Sequence, residues 1–180
     1  MSFEVVRRRG KYWDDAKTMD RIIGDFPFNT TGRNERDFEN GFATTLLAMK
    51  SSFNSEVIAQ IDKSKTVTSV YCFGKNHRPD ITIGESGIAV ELKFISYDGL
   101  TNAIGQGYVY RLSYKFVFMI LIISENRKFI YADLDSHAEK GLEDTLQHLA
   151  DNMNIFTYVV PAFNIRPGER KCISFFDKKA

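Results

Sequence analysis

Residues 78–93 of the chain read RPDITIGESGIAVELK. Two short apolar runs are separated by the segment Gly84-Glu85-Ser86-Gly87, a pattern that predicts a β-hairpin. Side chains two residues apart on a strand lie on the same face, so Glu91 and Lys93 emerge side by side. Asp80 begins the first strand of the pair, where a cross-strand neighbour approaches Glu91. We therefore expect an acid, a second acid and a lysine to meet at one place.

A meeting of two carboxylates needs positive charge, because like charges held close together repel. Lys93 supplies one such charge, and a hard divalent cation would supply more, since Mg²⁺ is held by one or two carboxylates with water and phosphate. The arrangement suits attack of water on a phosphodiester, with the ammonium steadying the nucleophile. The alternative is a solvated strand face. Ala89 and Ile95 share that face, which favours the site.

The wider sequence resembles a known family, the PD-(D/E)xK nuclease superfamily with its restriction-endonuclease-like fold. Ten residues separate Pro79-Asp80 from Glu91-Leu92-Lys93, as in the short signature of that family. Upstream, Phe38-Glu39 resembles the helical acid of many members. Downstream, Gln106 and Tyr110 in GQGYVY resemble the Gln-x-x-x-Tyr motif of the RecB-like branch. The match covers roughly residues 33–124, in the order helix, three strands, helix, strand.

The resemblance implies a role for each of these residues. Asp80 and Glu91 would ligate Mg²⁺ or Mn²⁺ with the backbone carbonyl of Leu92, and Lys93 would position or activate the attacking water. Glu39 would hold a metal-bound water or a second ion.

The helical acid has an alternative one turn earlier. Glu35 also lies within the apolar stripe of its helix, but near a helix start it complements the dipole. Glu39 lacks that role and is the better candidate.

Basic and aromatic residues around the predicted site favour a nucleic-acid partner, most simply DNA, with RNA not excluded. The substrate-binding candidates are Gln106, Tyr110, Arg78, His77, Lys75, Arg36 and Arg111. The function predicted from these residues is a metal-dependent nuclease that hydrolyses DNA. Two alternatives stay open, an inactive member that binds nucleic acid or protein and a structure-specific, junction-type nuclease. A homodimer also stays open.

The pattern along the chain predicts an α/β fold with a mixed sheet flanked by helices. Residues 1–32 are assigned to an N-terminal basic extension and residues 33–180 to a single globular nuclease domain. Asn34 predicts a helix start. Further elements predicted are a strand at 66–74, the 80–83 and 87–95 hairpin, a helix at 99–115, a strand at 115–124, a short strand at 129–132, a helix at 137–152 and two final strands.

Composition bounds the class of protein. The chain has 180 residues, 43% of them hydrophobic and 26% charged, with a net charge of +1. These values are ordinary for a soluble domain. Cys72 and Cys172 are far apart in sequence, which predicts reduced thiols. The N-terminus lacks a secretory h-region, and the longest apolar run, 116–123, is too short to span a bilayer as a helix. A cytoplasmic protein without a membrane partner is expected.

Overall fold

The computed structural model describes residues 6–31, 34–165 and 170–176. The helices are α1 (Lys11–Asp25), α2 (Phe28–Thr31), α3 (Glu35–Ala48), α4 (Tyr97–Arg111), α5 (Lys128–Asp135) and α6 (Lys140–Met153). The strands are β1 (Val57–Ala59), β2 (Val70–Cys72), β3 (Lys75–His77), β4 (Ile81–Ile83), β5 (Ile88–Phe94), β6 (Phe116–Ile123), β7 (Ile155–Pro161) and β8 (Ile173–Ser174). Single 3₁₀ turns occupy Lys50–Ser52 and Glu125–Arg127.

Six of these strands form one mixed sheet in the order β1-β4-β5-β6-β7-β8. Strands β5, β6 and β7 are parallel, and the outer pairs are antiparallel. Every residue of β6 is buried, as expected for a central strand covered on both faces. Helices α3 and α4 both pack against β5, while α5 and α6 pack against β7. The predicted α/β class with a mixed sheet and flanking helices is therefore confirmed.

The hairpin that brings the acids together is present. Strands β4 and β5 pair antiparallel, with Ile81 opposite Val90 and Ile83 opposite Ile88. The backbone N–H of Asp80 donates to the Val90 carbonyl at 3.0 Å, which extends the ladder by one residue. Gly84 has a φ of 70°, a conformation that glycine adopts without a steric penalty. The turn therefore fixes the register that sets Asp80 beside the second strand.

One predicted strand is shorter than expected and lies outside the main sheet, and another is a helix. Of residues 66–74 only Val70–Cys72 is extended, and it pairs with β3 in a separate two-stranded hairpin outside the sheet. The outer position beside β4 belongs instead to β1, whose three residues are too few to show a period. Residues 129–132 lie in α5, a helix. Its buried Ile130, Tyr131 and Leu134 recur at helical steps.

Helix α3 begins where the sequence predicted. The side chain of Asn34 accepts a hydrogen bond from the Asp37 N–H at 3.1 Å, an N-cap that satisfies one free donor of the first turn. Phe38, Phe42 and Leu46 are fully buried and hold one side of the helix in the core. This anchoring sets the first turns of α3 next to the carboxyl end of β5.

Helix α1 lies within the segment assigned to the N-terminal extension. Its Ala16, Met19 and Ile23 are fully buried and belong to the same apolar cluster as the strands of the sheet. Arg8, just before it, donates to the Ala150 carbonyl and stacks over Trp13.

In the part of the chain that the structure describes, no helix combines the length and apolar character needed to cross a bilayer.

Candidate active site

Asp80, Glu91 and Lys93 lie together on the β4–β5 hairpin, as the sequence predicted. A carboxylate oxygen of Glu91 lies 3.1 Å from Lys93 Nζ. The Asp80 carboxylate accepts a hydrogen bond of 2.7 Å from the backbone N–H of Leu92, the residue between the other two. Glu91 is only 2% exposed, whereas the side chain of Lys93 is 29% exposed. The cluster therefore opens to solvent on the side of the ammonium group.

The Pro79-Asp80 segment accepts hydrogen bonds from the residue that follows β1. Gln60, which follows β1, donates its side-chain amide to the Pro79 carbonyl at 2.9 Å and also approaches the Arg78 carbonyl at 3.3 Å. Its own backbone N–H donates to the Asp80 carbonyl at 2.9 Å. Sequence reasoning missed Gln60, because β1 was not predicted and the contact joins residues distant in sequence.

Tyr110 of α4 belongs to the same cluster. Its hydroxyl lies 2.9 Å from the second carboxylate oxygen of Glu91 and 3.2 Å from the Arg78 carbonyl. Gln106 is half-buried one turn earlier on α4. Between them, Gly107 lets the helix approach the sheet, since a Cβ there would lie 3.2 Å from Ile155 Cγ2. Tyr110, one turn after Gln106 on α4, is therefore the residue of this motif that contacts the buried acid Glu91.

Two acids of α3, Glu35 and Glu39, lie near the cluster, and their surroundings differ. Glu35 lies 3.3 Å from Lys93 Nζ and accepts a hydrogen bond of 2.9 Å from the Phe94 N–H. Glu39 is half-buried one turn later and close enough to Asp80 to affect its ionisation. The sequence favoured Glu39 for the site. The structure gives Glu35 the direct contact with the lysine and gives Glu39 the electrostatic contact with the first acid.

The cluster carries more negative than positive charge. Burial, followed by repulsion from Glu91, raises the pKa of Asp80 well above its ordinary value, although the Leu92 N–H opposes the shift. Burial also raises the pKa of Glu91, against the attraction of Lys93 and the Tyr110 hydroxyl. Burial and the neighbouring Glu35 raise the pKa of Glu39.

The pKa of Lys93 is also raised, which for an amine favours the charged form. Burial alone would lower its pKa, but the carboxylates of Glu91 and Glu35 outweigh that effect and raise it. The ammonium of Lys93 and, beside Glu39, the guanidinium of Arg36 thus face four acidic side chains, those of Asp80, Glu91, Glu39 and Glu35. A further positive charge at this point would relieve the repulsion among them.

The donors present fit a hard divalent cation. Among the described residues no three His, Cys, Asp or Glu side chains form a complete ligand cluster. Two carboxylates completed by water are nevertheless the usual protein contribution to bound Mg²⁺. Asp80 and Glu91 supply those two carboxylates, and the Leu92 carbonyl is the further ligand implied by the family resemblance. Oxygen donors without thiolate or imidazole favour Mg²⁺ or Mn²⁺ over softer metals.

The predicted substrate-binding residues divide into two groups. Lys75, Arg78 and Arg36 are exposed, and His77 is half-buried with its Nε2 atom 3.2 Å from the Cys72 carbonyl. Arg111, in contrast, is 7% exposed, and its guanidinium donates to the carbonyls of Met153 and Tyr114. Arg111 therefore ties α4 to the end of α6 and does not lie on the rim of the site.

No protein-family model, no curated protein and no solved structure matches the chain. The physical arrangement of its own residues is thus the basis for assigning a function.

Removing the hydroxyl of Tyr110 is expected to affect both stability and the site. Tyr110→Phe leaves a buried acceptor on Glu91 with one partner fewer, which lowers the free energy of unfolding by about 1–3 kcal/mol. Loss of such a supporting contact lowers metal affinity or activity by about 10- to 100-fold. Urea denaturation and cleavage rates measure the two effects.

The matched control for this substitution is Tyr114→Phe. The Tyr114 hydroxyl donates to the Thr68 carbonyl at 2.8 Å, so the substitution also removes one hydrogen bond from a buried tyrosine. It is expected to cost about 0.5–1.5 kcal/mol of stability and to lower cleavage less than Tyr110→Phe does, because the hydrogen bond it removes is not made to an acid of the cluster. Equal loss of cleavage in both variants would remove Tyr110 from the site.

The two acids of α3 are separable by substitution. Glu39→Gln removes an ionised group that burial and Glu35 disfavour in the folded protein, so the unfolding temperature is expected to stay equal or rise. The same variant is expected to need about 10-fold more Mg²⁺ for half-maximal activity. Glu35→Ala loses its contacts with Lys93 and the Phe94 N–H and lowers stability by about 1 kcal/mol. If Glu35→Ala raises the Mg²⁺ requirement and Glu39→Gln does not, the metal-related role belongs to Glu35.

Proposed function

We propose that the protein is a metal-dependent nuclease that hydrolyses phosphodiester bonds of DNA. The observation that carries the proposal is the cluster of Asp80, Glu91 and Lys93 on one hairpin, with both acids held by hydrogen bonds and the lysine facing solvent. A structural ion pair requires one acid. Asp80, Glu91, Glu35 and Glu39 bring more carboxylates together than one ion pair requires, and a divalent cation would relieve the repulsion among them.

The element order supports the finer proposal of a restriction-endonuclease-like core. Helix α3 precedes three antiparallel strands of the sheet, β1, β4 and β5, which are followed by α4 and the parallel strand β6. This is the helix, three strands, helix, strand order of the family that the sequence resembles. The hairpin of β2 and β3 is an insertion between the first two strands of that core.

The chain's own residues have distinct tasks in this reaction. Asp80 and Glu91 would hold the divalent cation, and when bound that cation polarises a phosphoryl oxygen and neutralises developing charge. The Leu92 N–H keeps the Asp80 carboxylate oriented, and Tyr110 does the same for Glu91. The ammonium of Lys93, on the open side of the cluster, orients the attacking water and stabilises negative charge on the phosphate.

The test is a cleavage assay with purified protein and labelled DNA. The substrates are single-stranded, duplex, nicked and branched DNA of one sequence, incubated with Mg²⁺, Mn²⁺ or EDTA. The proposal predicts cleavage of at least one substrate with either cation and none in EDTA. Activity that is equal in wild type and in a Lys93→Ala preparation would come from a contaminating nuclease, and the proposal would then fail.

A further inference from the structure

The hairpin of β2 and β3 exposes two large aromatic side chains. Tyr71 is 70% exposed on β2, and Phe73, at the tip, is 86% exposed, the highest value among the exposed large hydrophobic residues that the structure describes. Cys72 pairs with Lys75 across the hairpin, so Phe73 and Gly74 are its two-residue turn. Rings as exposed as these are accessible to a ligand.

The backbone at Phe73 is strained. Phe73 has a φ of 50° and Gly74 a φ of 76°, so both turn residues lie in the left-handed region, as in a type I′ turn. Asn-Gly is the preferred pair for this turn, and a bulky residue with positive φ is uncommon. The strain at Phe73 is not offset by burial of its ring. An exposed aromatic side chain at a strained backbone position therefore points to a function of that side chain.

The base of the hairpin packs against α4, the helix that carries Tyr110, and is held by Tyr114 just after the end of that helix. Val70 is buried, and the Tyr114 hydroxyl donates to the Thr68 carbonyl just before β2. After β3, the Arg78 carbonyl lies 3.2 Å from the Tyr110 hydroxyl, which also contacts Glu91. The base of the hairpin is therefore connected to the residues that hold Glu91.

The tip lies within reach of a strand bound at the site. Phe73 precedes Asp80 by seven residues, which span at most about 25 Å. Stacked nucleotides advance about 3.4 Å each, so about seven of them would span the distance from the tip to Asp80. Lys75 and Arg78 are exposed between the tip and Asp80. Positive charge beside an exposed ring is the combination with which proteins hold single-stranded nucleic acid.

We propose that Phe73, with Tyr71 behind it, stacks on an unpaired nucleobase and thereby directs the site towards single-stranded or frayed nucleic acid. The inference rests on the proposed function, whose cleavage step it specifies. A continuous duplex offers no accessible base face to a ring at the tip of a hairpin, because its bases are stacked on one another. Stacking on an aromatic ring is tolerant of base identity, since every base has a π-face.

The experiment measures binding of a single-stranded oligonucleotide that contains 2-aminopurine, with Ca²⁺ replacing Mg²⁺. Phe73→Asn creates the preferred Asn-Gly turn, removes the ring and is expected to raise the unfolding temperature by about 2–4 °C. Phe73→Leu keeps an apolar side chain without a π-face, and Phe73→Trp keeps the ring. A duplex of the same sequence is the comparison ligand.

The expected result is a loss of single-strand affinity of about 5- to 150-fold in Phe73→Asn and Phe73→Leu, with loss of 2-aminopurine quenching. Phe73→Trp is expected to retain both, and duplex affinity to change less than twofold in all three variants. Unchanged single-strand binding by Phe73→Asn, or equal losses on both ligands, would overturn the inference. The cleavage assay that compares wild type with Lys93→Ala tests the nuclease proposal independently of this binding experiment.

Discussion

Replacing Lys93 with alanine is expected to lower the divalent-dependent rate of DNA cleavage by at least about 100-fold. Lys93 is the one cation in direct contact with Glu91 among the described residues, and its ammonium faces the open side of the cluster. Under the proposed function, removing it takes away the group that would orient the water and stabilise charge on the phosphate. Single-turnover cleavage at saturating Mg²⁺ measures the chemical step without a contribution from substrate affinity.

Two control variants make this result specific. Lys65→Ala removes an exposed lysine that pairs with Glu56 on the protein surface, and is expected to leave the rate unchanged. Lys93→Arg keeps the charge but changes the geometry of the donors, so a partial loss is expected. A rate in Lys93→Ala within a few-fold of wild type would contradict the assigned role.

Replacing Asp80 with asparagine is expected to abolish cleavage and metal binding together. Neutralising one of the two carboxylates leaves Glu91 without the second charge that holds a divalent cation. In metal-free protein the same change relieves repulsion within the cluster, so the unfolding temperature is expected to rise above that of wild type. Function and stability would thus move in opposite directions.

The change of unfolding temperature on adding Mn²⁺ distinguishes wild type from Asp80→Asn. At 100 times its dissociation constant a cation that binds only the folded state is expected to raise the wild-type unfolding temperature by about 5–10 °C. Asp80→Asn is expected to show no such rise. Asp62→Asn changes an acid outside the cluster that accepts hydrogen bonds from Ser64, and is expected to respond to Mn²⁺ like wild type. A full Mn²⁺ response in Asp80→Asn would exclude it from the metal site.

The elements that could be predicted from the sequence are those with a clear period or a clear boundary. The β4–β5 hairpin, the buried strand β6 and the N-cap at Asn34 are examples. The three-residue strand β1 shows no period, and it enters the sheet only because residues far apart in sequence pair with each other. Helix α5 was predicted as a strand because its short apolar run fits either structure.

The centre of the candidate site could be predicted because one strand sets it. The two-residue period of β5 aligns Glu91 with Lys93, and the hairpin register adds Asp80. Contacts between separate elements could not be predicted. The Glu35 contact with Lys93 depends on how α3 crosses β5, and the burial of Arg111 depends on where α6 ends.

The most direct test is a crystal of the wild-type protein soaked in Mn²⁺ and measured for anomalous scattering. The proposal predicts one strong anomalous peak bonded to carboxylate oxygens of both Asp80 and Glu91, and no peak there in Asp80→Asn crystals treated in the same way. A wild-type map with Mn²⁺ bound elsewhere, and nothing between these two carboxylates, would contradict it.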